Sequence, residues 1–336
     1  MRATDPRIRR NTVRQTAVAT AALATMLFGS SAIAQTSVEL TASGPEGNLA
    51  GTLLSPEGFK ATVVIVPGSG PTDRDGNNPL GVTAAPYRLL AEALAEKGVA
   101  TLRIDKRGMF GSKAALADAN AVTISDYATD LQSWTTALRA RDPNQCVFLL
   151  GHSEGGLVAL EAMTQIDDLC GVILVATPGR PIGDIMRDQF RANPANAPLL
   201  ADALSAIDTL ERGETVDVTA FHPALQQVFA PQVQPFLIDM MRRDPTALAS
   251  QGDVPMLIVQ GGRDIQATAA DAAALRAARP DATYAEFADM THVLKDVASD
   301  DRMANLATYT DASLPLADGL ADSIAEFVRA NASGEQ

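Results

Sequence analysis

The sequence is poor in cysteine and histidine, and it has no run of lysine and arginine beyond its first 14 residues. Its 336 residues include two Cys and three His, and the formal net charge is −13. An acidic chain without a basic patch argues against nucleic-acid binding. Two cysteines allow at most one disulfide, and three histidines leave few choices for a catalytic base.

Residues 1–34 have the pattern of a secretory signal peptide. The apolar stretch at positions 17–29 has 13 residues, which is too short for a comfortable membrane span, and residues 32–34 form an A-x-A cleavage site before Gln35. The basic region ahead of this stretch contains five arginines, Arg2, Arg7, Arg9, Arg10 and Arg14. We therefore expect a periplasmic or secreted protein with no stable membrane anchor after cleavage. An uncleaved anchor is the alternative.

Each cysteine precedes an apolar run that predicts a strand. Cys146 stands before residues 147–150, and Cys170 stands before residues 172–175. If these strands are neighbours, the two sulfurs lie at the same end of the sheet, and an oxidising compartment permits a disulfide between them. Two small buried hydrophobic side chains are the alternative.

Short apolar runs alternate with helical periodicity along most of the chain. This alternation is typical of an α/β protein whose mostly parallel central sheet is flanked by helices, and residues 37–53 predict a β-hairpin at one sheet edge. In such a sheet the carboxyl ends of the strands meet at one edge, where ligands bind. The predicted buried strands are residues 62–66, 99–104, 147–150, 172–175, 255–260 and 283–287.

The alternation stops between residues 181 and 251, where apolar residues recur at helical spacing without a strand pattern. We predict a helical cap or lid at 181–251, inserted into a core formed by residues 35–180 and 252–336. The side chains of this insertion that we expect to face a pocket are Phe229, Phe236 and Met240.

A G-x-S-x-G sequence joins the predicted strand at 147–150 to a helical pattern. In this context the spacing indicates a nucleophile elbow, with Ser153 in a strained conformation at the tip of a tight turn. Gly151 and Gly155 fit beside Ser153 because larger side chains would collide with the neighbouring strand and helix. Ser153 is therefore the candidate nucleophile, and a chance match in a loop is the alternative.

A serine hydroxyl needs a base within hydrogen-bond reach. His152 adjoins the serine, but we expect its side chain to point away from the nucleophile. His222 lies in the insertion and is typical of a helix start. His292 follows the last predicted strand, at the edge where the elbow lies, so it is the candidate base.

The base in turn needs an acid that orients it. Asp264 follows the strand at 255–260, and the order Ser153, Asp264, His292 is the one expected for this elbow motif. Asp289 and Asp105 are the rival acids. Asp289 is close in sequence to His292, and Asp105 is expected to brace the turn that follows it.

Acyl transfer also requires backbone N–H groups that are aimed at the developing oxyanion. Glu154 follows the nucleophile and is one candidate donor. The loop after the strand at 62–66 has glycine on both sides of Ser69, so Ser69 is the second candidate, with Gly70 as its alternative. A phosphate cradle is the other interpretation, but the loop lacks the usual motifs. Gly70, Asp73 and Arg74 are candidate substrate contacts, and structural pairing within the loop is their alternative role.

These motifs resemble those of the α/β-hydrolase superfamily, specifically bacterial serine esterases and related peptidase-like hydrolases. The similar segments are the loop PGSGPTDRDG at 67–76, the turn DKRG at 105–108 and the elbow LGHSEGG at 150–156. The resemblance covers nearly all of the chain after residue 34 and is weakest in the insertion. It implies the α/β-hydrolase fold, a triad of Ser153, Asp264 and His292, hydrolysis through an acyl-enzyme, and no cofactor.

We therefore predict a serine hydrolase that cleaves carboxylic esters of small acyl substrates. Its expected partner is a small-molecule acyl ester, and no metal site is predicted. Peptidase, amidase and thioesterase activities are alternatives within the same fold, because members of the superfamily divide among them. A non-catalytic binding protein on a hydrolase scaffold is the alternative from another functional class.

Overall fold

A computed structural model describes residues 34–332. The predicted signal peptide therefore lies outside the described residues, apart from Ala34. Within residues 34–332 no helix has both the length and the apolar character needed to cross a bilayer. The strands are β1 (Gln35–Ser43), β2 (Asn48–Pro56), β3 (Ala61–Val66), β4 (Ala100–Ile104), β5 (Cys146–His152), β6 (Gly171–Val175), β7 (Met256–Gly261) and β8 (Thr283–Phe287).

All eight strands belong to one sheet, in the order β1-β2-β4-β3-β5-β6-β7-β8. The pairs β1–β2 and β2–β4 are antiparallel, and every other neighbouring pair is parallel. The predicted mostly parallel sheet with a hairpin at one edge is confirmed. Strand β5 lies between β3 and β6 near the centre of the sheet, so the loop that follows it is surrounded by the loops of its neighbours.

Helices cover both faces of the sheet and fill the segment between β6 and β7. Three short 3-10 helices, Phe110–Ala115, Pro194–Leu199 and Thr308–Thr310, complete the helical structure of the described chain. The α-helices are α1 (Pro86–Glu96), α2 (Ile124–Arg141), α3 (Glu154–Met163), α4 (Ile182–Ala192), α5 (Leu200–Glu211), α6 (Pro223–Val228), α7 (Gln234–Met241), α8 (Pro245–Ala249), α9 (Ala269–Ala278), α10 (Arg302–Ala307) and α11 (Leu320–Ala332).

The hydrophobic core lies in two layers, one on each face of the sheet. Val63 and Ile65 of β3 pack with residues of α1 and α11, whereas Val64 and Val66 pack with residues of α2 and α3. Successive strand residues point to opposite faces, so a strand with helices on both sides is apolar at every position. This explains why the buried strands appear in the sequence as unbroken apolar runs.

The two cysteines are joined in a disulfide, with 5.7 Å between their Cα atoms. Cys146 begins β5, and Cys170 lies directly before β6, which is hydrogen-bonded to β5. The crosslink therefore lies at the amino ends of these strands. Ser153 follows the carboxyl end of β5, so the crosslink and Ser153 occupy opposite ends of one strand.

The segment between β6 and β7, called here the helical insertion (residues 181–251), contains α4 to α8 and one 3-10 helix. It has no strand among its residues, all of which the structure describes. The insertion has a small hydrophobic core of its own, centred on Ile207, Leu210 and Phe229. Phe229 is fully buried in that core, so the expectation that it faces a pocket is wrong.

Candidate active site

Ser153 lies in the turn between β5 and α3, with backbone angles φ 54° and ψ −124°. An L-residue reaches such angles only with strain, which the surrounding structure must impose. A Cβ atom on Gly151 would overlap the backbone of Gly155, and one on Gly155 would overlap the backbone of Val66. The turn thus has the geometry that the G-x-S-x-G spacing predicts, and it leaves Ser153 at the carboxyl end of the central strand.

His292 and Asp264 form a buried pair beside this turn. His292 Nδ1 lies 2.8 Å from Asp264 Oδ2, and the exposed fractions of the two side chains are 7% and 1%. Asp264 Oδ1 accepts hydrogen bonds from the backbone N–H groups of Gln266 and Ala267, over 2.7 and 3.0 Å. A carboxylate held in this way keeps the imidazole in one orientation, with its proton on Nδ1.

Ser153 and His292 line the same cavity, but no hydrogen bond between Ser153 Oγ and the His292 ring is present in the described chain. In hydrolases without substrate this contact is often long and tightens when substrate binds. The rival acids lie elsewhere. Half of the Asp289 side chain is exposed, and it pairs with Arg263. The structure therefore brings His292 together with Asp264 and not with Asp289.

The candidate oxyanion donors also lie beside Ser153. Ser69 and Glu154 line a cavity together with it. Within residues 34–332 neither backbone N–H donates a hydrogen bond, so both are available to a ligand. A Cβ atom on Gly68 would lie 3.3 Å from Ser153 Cβ, which shows how closely this loop approaches the nucleophile.

The ring of His152 bonds to groups other than Ser153 and lies beside the ring of His292. Its ring centroid lies 4.7 Å from that of His292, and its ring nitrogens contact His292 O and the Tyr87 hydroxyl, each at 2.8 Å. Burial, and to a smaller extent the neighbouring His292, lower the pKa of His152 to about 3. The ring is therefore neutral at pH 7, and both nitrogens are occupied. His222 begins α6 and accepts from Ala224 N–H, as the sequence predicts.

The predicted substrate contacts Asp73, Arg74 and Gly70 have structural partners, which is the alternative role that the sequence left open. Arg74 Nη2 lies 2.7 Å from Asp105 Oδ2, and Arg74 Nη1 lies 2.6 Å from Glu39 Oε2. Asp73 Oδ1 accepts from two backbone N–H groups of its own loop. Gly70 has φ 70°, its carbonyl accepts from Thr72 N–H, and it lines neither cavity beside Ser153. These contacts favour the structural role, with Asp73 and the Gly70 carbonyl bonded within the loop and Arg74 bonded to Asp105 and Glu39 outside it.

Asp105 braces the segment that follows it, as expected, but not through Arg107. Its carboxylate binds Arg74 and the N–H of Gly111, and it does not pair with Arg107. Arg107 instead pairs with Asp130 of α2, with Nε 2.7 Å from Oδ2. Asp105 therefore also braces the loop of residues 67–79 against the end of β4, and among the described residues its carboxylate makes no hydrogen bond to His292.

Two cavities meet at Ser153. The larger, called here the apolar cavity, has about 270 Å³ and extends under the helical insertion. Its lining includes Leu157, Ile182, Ile185, Met186, Leu237 and Met240, together with Arg180 and Arg243. Both arginines pair with carboxylates, Arg180 with Asp271 and Arg243 with Asp239. Of the insertion residues expected to face a pocket, Met240 does so, whereas Phe236 packs edge-on against Tyr127.

The smaller, called here the His292 cavity, has about 150 Å³ and a more polar lining. Ser69, Ser153 and Gln266 line both cavities, so the two spaces join at Ser153. The other polar side chains of the His292 cavity are Thr72, Asn78, Tyr87, His152, His292 and Tyr309. Within residues 34–332 no group of three or more His, Cys, Asp or Glu side chains is arranged to hold a metal ion.

Sequence reasoning did not identify Tyr87 and Lys106 as part of this site. Tyr87 lies in α1 and reaches His152 from 65 residues away. Lys106 follows β4 and donates to Gly68 O. The turn that contains Lys106 was recognisable as a motif, but nothing in the local pattern indicated which backbone group the lysine contacts.

Known proteins share both the sequence pattern and the fold. The family model described as serine aminopeptidase, S33, matches residues 80–295, a range that includes Ser153, Asp264 and His292. Esterase EstD of Thermotoga maritima is 29% identical over 239 residues, which are 69% of this chain and 53% of that relative. The chain thus spans about half the length of the curated relative that it matches.

Two solved structures illustrate the shared fold. An esterase of Pyrococcus furiosus has a TM-score of 0.57 and 14% identity, covering 89% of this chain and 92% of that one. A thermophilic esterase of Thermogutta terrifontis has a TM-score of 0.54 and 18% identity, covering 89% of this chain and all of that one. At these identities the likeness shows the α/β-hydrolase fold alone. The family model matches more than half of the residues of this chain. The chain therefore belongs to the serine aminopeptidase S33 family of α/β hydrolases.

Proposed function

We propose that the protein is a serine hydrolase that cleaves carboxylic esters of small acyl substrates through an acyl-enzyme intermediate. The observation that carries this proposal is the 2.8 Å contact between His292 Nδ1 and Asp264 Oδ2, with His292 and Ser153 in the wall of one cavity. Because Asp264 accepts the Nδ1 proton, Nε2 of the neutral ring is free to take a proton from Ser153. The name of the relative EstD supports ester substrates.

In the proposed reaction Ser153 Oγ attacks the carbonyl carbon while His292 Nε2 takes the hydroxyl proton. The bond to the leaving-group oxygen then breaks, and His292 returns the proton to that oxygen. A water molecule repeats the sequence on the acyl-enzyme and releases the carboxylic acid. The N–H groups of Ser69 and Glu154 stabilise the negative oxygen in both steps, and one such donor is typically worth about 3 kcal/mol.

The two cavities support one orientation of the ester. The leaving-group oxygen must lie within reach of His292, and His292 lines only the smaller cavity. The alcohol portion then occupies the His292 cavity and the acyl chain occupies the apolar cavity. The apolar cavity, with about 270 Å³ and Leu157, Ile182 and Met186 in its wall, suits an apolar acyl chain of several carbon atoms.

Aminopeptidase activity is the second candidate, because the matched family is described by it. An aminopeptidase must bind the positively charged amino group of its substrate. Among the described residues that line the two cavities, Glu154 is the only carboxylate, and Lys106 Nζ lies 3.4 Å from its Oε1. A carboxylate that is already paired has little capacity for a second cation, so the site favours neutral esters.

We also propose that the enzyme acts in the periplasm or after secretion. The signal-peptide pattern of residues 1–34 supports this location, and so does the disulfide between Cys146 and Cys170, since disulfides persist in oxidising compartments. The test is the N-terminal sequence of protein recovered from a cell fraction outside the cytoplasm. We expect it to begin at Gln35, and an intact Met1 in the cytoplasmic fraction would contradict the proposal.

The function is tested with p-nitrophenyl acetate, a panel of longer acyl esters, an aminoacyl-anilide and a fluorophosphonate probe. We expect the wild type to hydrolyse the esters, with little turnover of the anilide, and the probe to label Ser153. The variant Ser153→Ala should be unlabelled and several orders of magnitude slower. Undiminished hydrolysis by this variant would refute the assignment, and preferred turnover of the anilide would favour the peptidase.

A further inference from the structure

A buried lysine holds the peptide unit that joins Gly68 to Ser69. Lys106 Nζ donates to Gly68 O over 2.8 Å, and only 5% of the lysine side chain is exposed. In a planar trans peptide the C=O and N–H groups point in opposite directions. Fixing Gly68 O therefore fixes the direction of Ser69 N–H, which is one of the two proposed oxyanion donors.

The same lysine contacts the residue that supplies the other donor. Lys106 Nζ lies 3.4 Å from Glu154 Oε1, and both side chains are buried. Burying two charges has a large desolvation cost, so such a pair is weak support for stability alone. One side chain thus connects the two segments, at Ser69 and Glu154, whose N–H groups form the proposed oxyanion hole.

A second set of hydrogen bonds connects Gly68 to His292. His152 Nε2 lies 2.8 Å from His292 O, and a carbonyl oxygen only accepts, so Nε2 carries the proton. The neutral ring then accepts at Nδ1 from the Tyr87 hydroxyl, 2.8 Å away. The Tyr87 oxygen in turn accepts from Gly68 N–H over 3.0 Å. The donor of each hydrogen bond is set by the neighbouring bond, so this series of hydrogen bonds from Gly68 to His292 has one arrangement of protons.

We propose that Lys106, Tyr87 and His152 are positioning residues that hold the oxyanion-hole peptide in register with His292. The inference rests on the function proposed above, because it assigns Ser69 N–H and His292 their roles in ester hydrolysis. Donors that are already aimed at the oxyanion stabilise the transition state without reorganising during the reaction. Loosening the network therefore lowers kcat and leaves ground-state binding, and hence KM, nearly unchanged.

The first test uses Tyr87→Phe, which removes the link between Gly68 N–H and His152. The matched control is Tyr284→Phe, since Tyr284 lies on the edge strand β8 and its hydroxyl contacts Glu286. We expect kcat of Tyr87→Phe to fall about 10- to 100-fold, less than the full loss of an oxyanion donor, with KM changed less than threefold. The Kd of an alkyl trifluoromethyl ketone, which forms an oxyanion with Ser153, should rise by the same factor by which kcat/KM falls.

A second pair of variants separates the two links of His152. His152→Gln places an amide near Nε2 and retains the contact with His292 O, whereas His152→Asn places an oxygen near Nδ1 and retains the contact with Tyr87. His222→Gln is the matched control outside both cavities. His152→Gln loses the contact with Tyr87, so we expect the ketone to bind more weakly to this variant. His152→Asn loses the contact with His292 O and frees the His292 backbone, so we expect the pH profile of kcat/KM to shift.

Lys106 is tested with Lys106→Met and with Lys106→Met combined with Glu154→Gln. The single variant leaves a buried carboxylate unpaired and can lose its fold for that reason, whereas the double variant removes both charges and keeps the backbone N–H of residue 154. We expect the folded double variant, checked by thermal unfolding, to lose at least tenfold in both kcat and ketone affinity.

Three outcomes would overturn the proposal. The first is a folded Tyr87→Phe and a folded Lys106 double variant with wild-type kcat and ketone affinity. The second is an effect on KM alone. The third is an effect that appears with one leaving group and not with another, which would mean that these side chains merely contact substrate. Ser153→Ala, assayed in parallel, separates a failure of the proposed function from a failure of the positioning proposal. An active Ser153→Ala contradicts the proposed function itself. An inactive Ser153→Ala means that only the positioning proposal has failed.

Discussion

His292 Nδ1 and Asp264 Oδ2 lie 2.8 Å apart, although α9 and β8 separate the two residues in the chain. The contact forms because both residues follow parallel strands that are neighbours in the sheet. We expect that inserting or deleting one residue in either loop would move the two side chains out of contact. The pair is therefore a sensitive point for testing the proposed chemistry.

The first prediction concerns Asp264→Asn. The amide oxygen can still accept from Gln266 and Ala267, so the amide N–H₂ would face His292 and donate to Nδ1. The ring would then carry its proton on Nε2 and be unable to take one from Ser153. We expect kcat to fall about 10³- to 10⁴-fold with little change in stability. Asp289→Asn is the matched control, and an equal loss in that variant would contradict the assignment.

The second prediction concerns the acyl chain. Met186 of α4 lines the apolar cavity, so Met186→Trp should fill part of it. We expect kcat/KM for p-nitrophenyl octanoate to fall at least tenfold more than for p-nitrophenyl acetate, since burial of each methylene is worth about 0.8 kcal/mol. Val228→Trp, at an exposed position of the insertion, is the control. Equal losses for the two esters in Met186→Trp would mean that the acyl chain lies elsewhere.

The third prediction concerns the disulfide. Cys146 and Cys170 are 24 positions apart, and closing a loop of this length is worth about 3.5 kcal/mol in the chain-entropy model. The double variant Cys146→Ala, Cys170→Ala should lose roughly that much in free energy of unfolding, measured in urea. Its kcat should remain that of the wild type, because the crosslink is about 23 Å along β5 from Ser153. A stability of the double variant that matches the oxidised wild type would disprove the bond.

The fourth prediction concerns acid stability. The pKa of His152 is about 3 in the folded protein and ordinarily about 6.5 in an unfolded chain. Between these values the unfolded state binds a proton that the folded state does not, so stability falls as pH falls from about 6.5 towards 3. We expect His152→Gln to lose less of its stability than the wild type between pH 7 and pH 4.5 in urea titrations. Parallel losses in the two proteins would contradict the low pKa.

Much of the fold is predictable because each buried strand has helices on both faces, which leaves a plain apolar run in the sequence. The elbow is predictable because its G-x-S-x-G spacing is a compact local signature, although the space around Gly155 is limited by Val66 of β3, outside the elbow. His292 and Asp264 follow from their places after strands. In each case the information lies within a few residues of the feature itself.

The rest depends on contacts that no local pattern encodes. Arg74 satisfies its charge with Glu39, which is 35 residues earlier, so nothing near Arg74 distinguishes a structural arginine from a substrate contact. In the helical insertion, periodicity identifies apolar faces but not which face meets the insertion's own core. Phe229 lies in that core and Met240 lines the apolar cavity. Only the three-dimensional packing separates these two roles.

The helical insertion leaves the sheet after β6 and returns at β7, and both proposed oxyanion donors, the nucleophile, the base and the acid come from outside it. In the proposed function, the reacting groups thus lie outside the helical insertion, whereas most of the apolar side chains that line the acyl site lie within it. We expect a chimera that carries the corresponding segment of another family member to take on the acyl chain-length preference of that family member. Ser153, Asp264 and His292 would remain unchanged in the chimera. Under this proposal the helical insertion can diverge during evolution while the reacting residues stay the same.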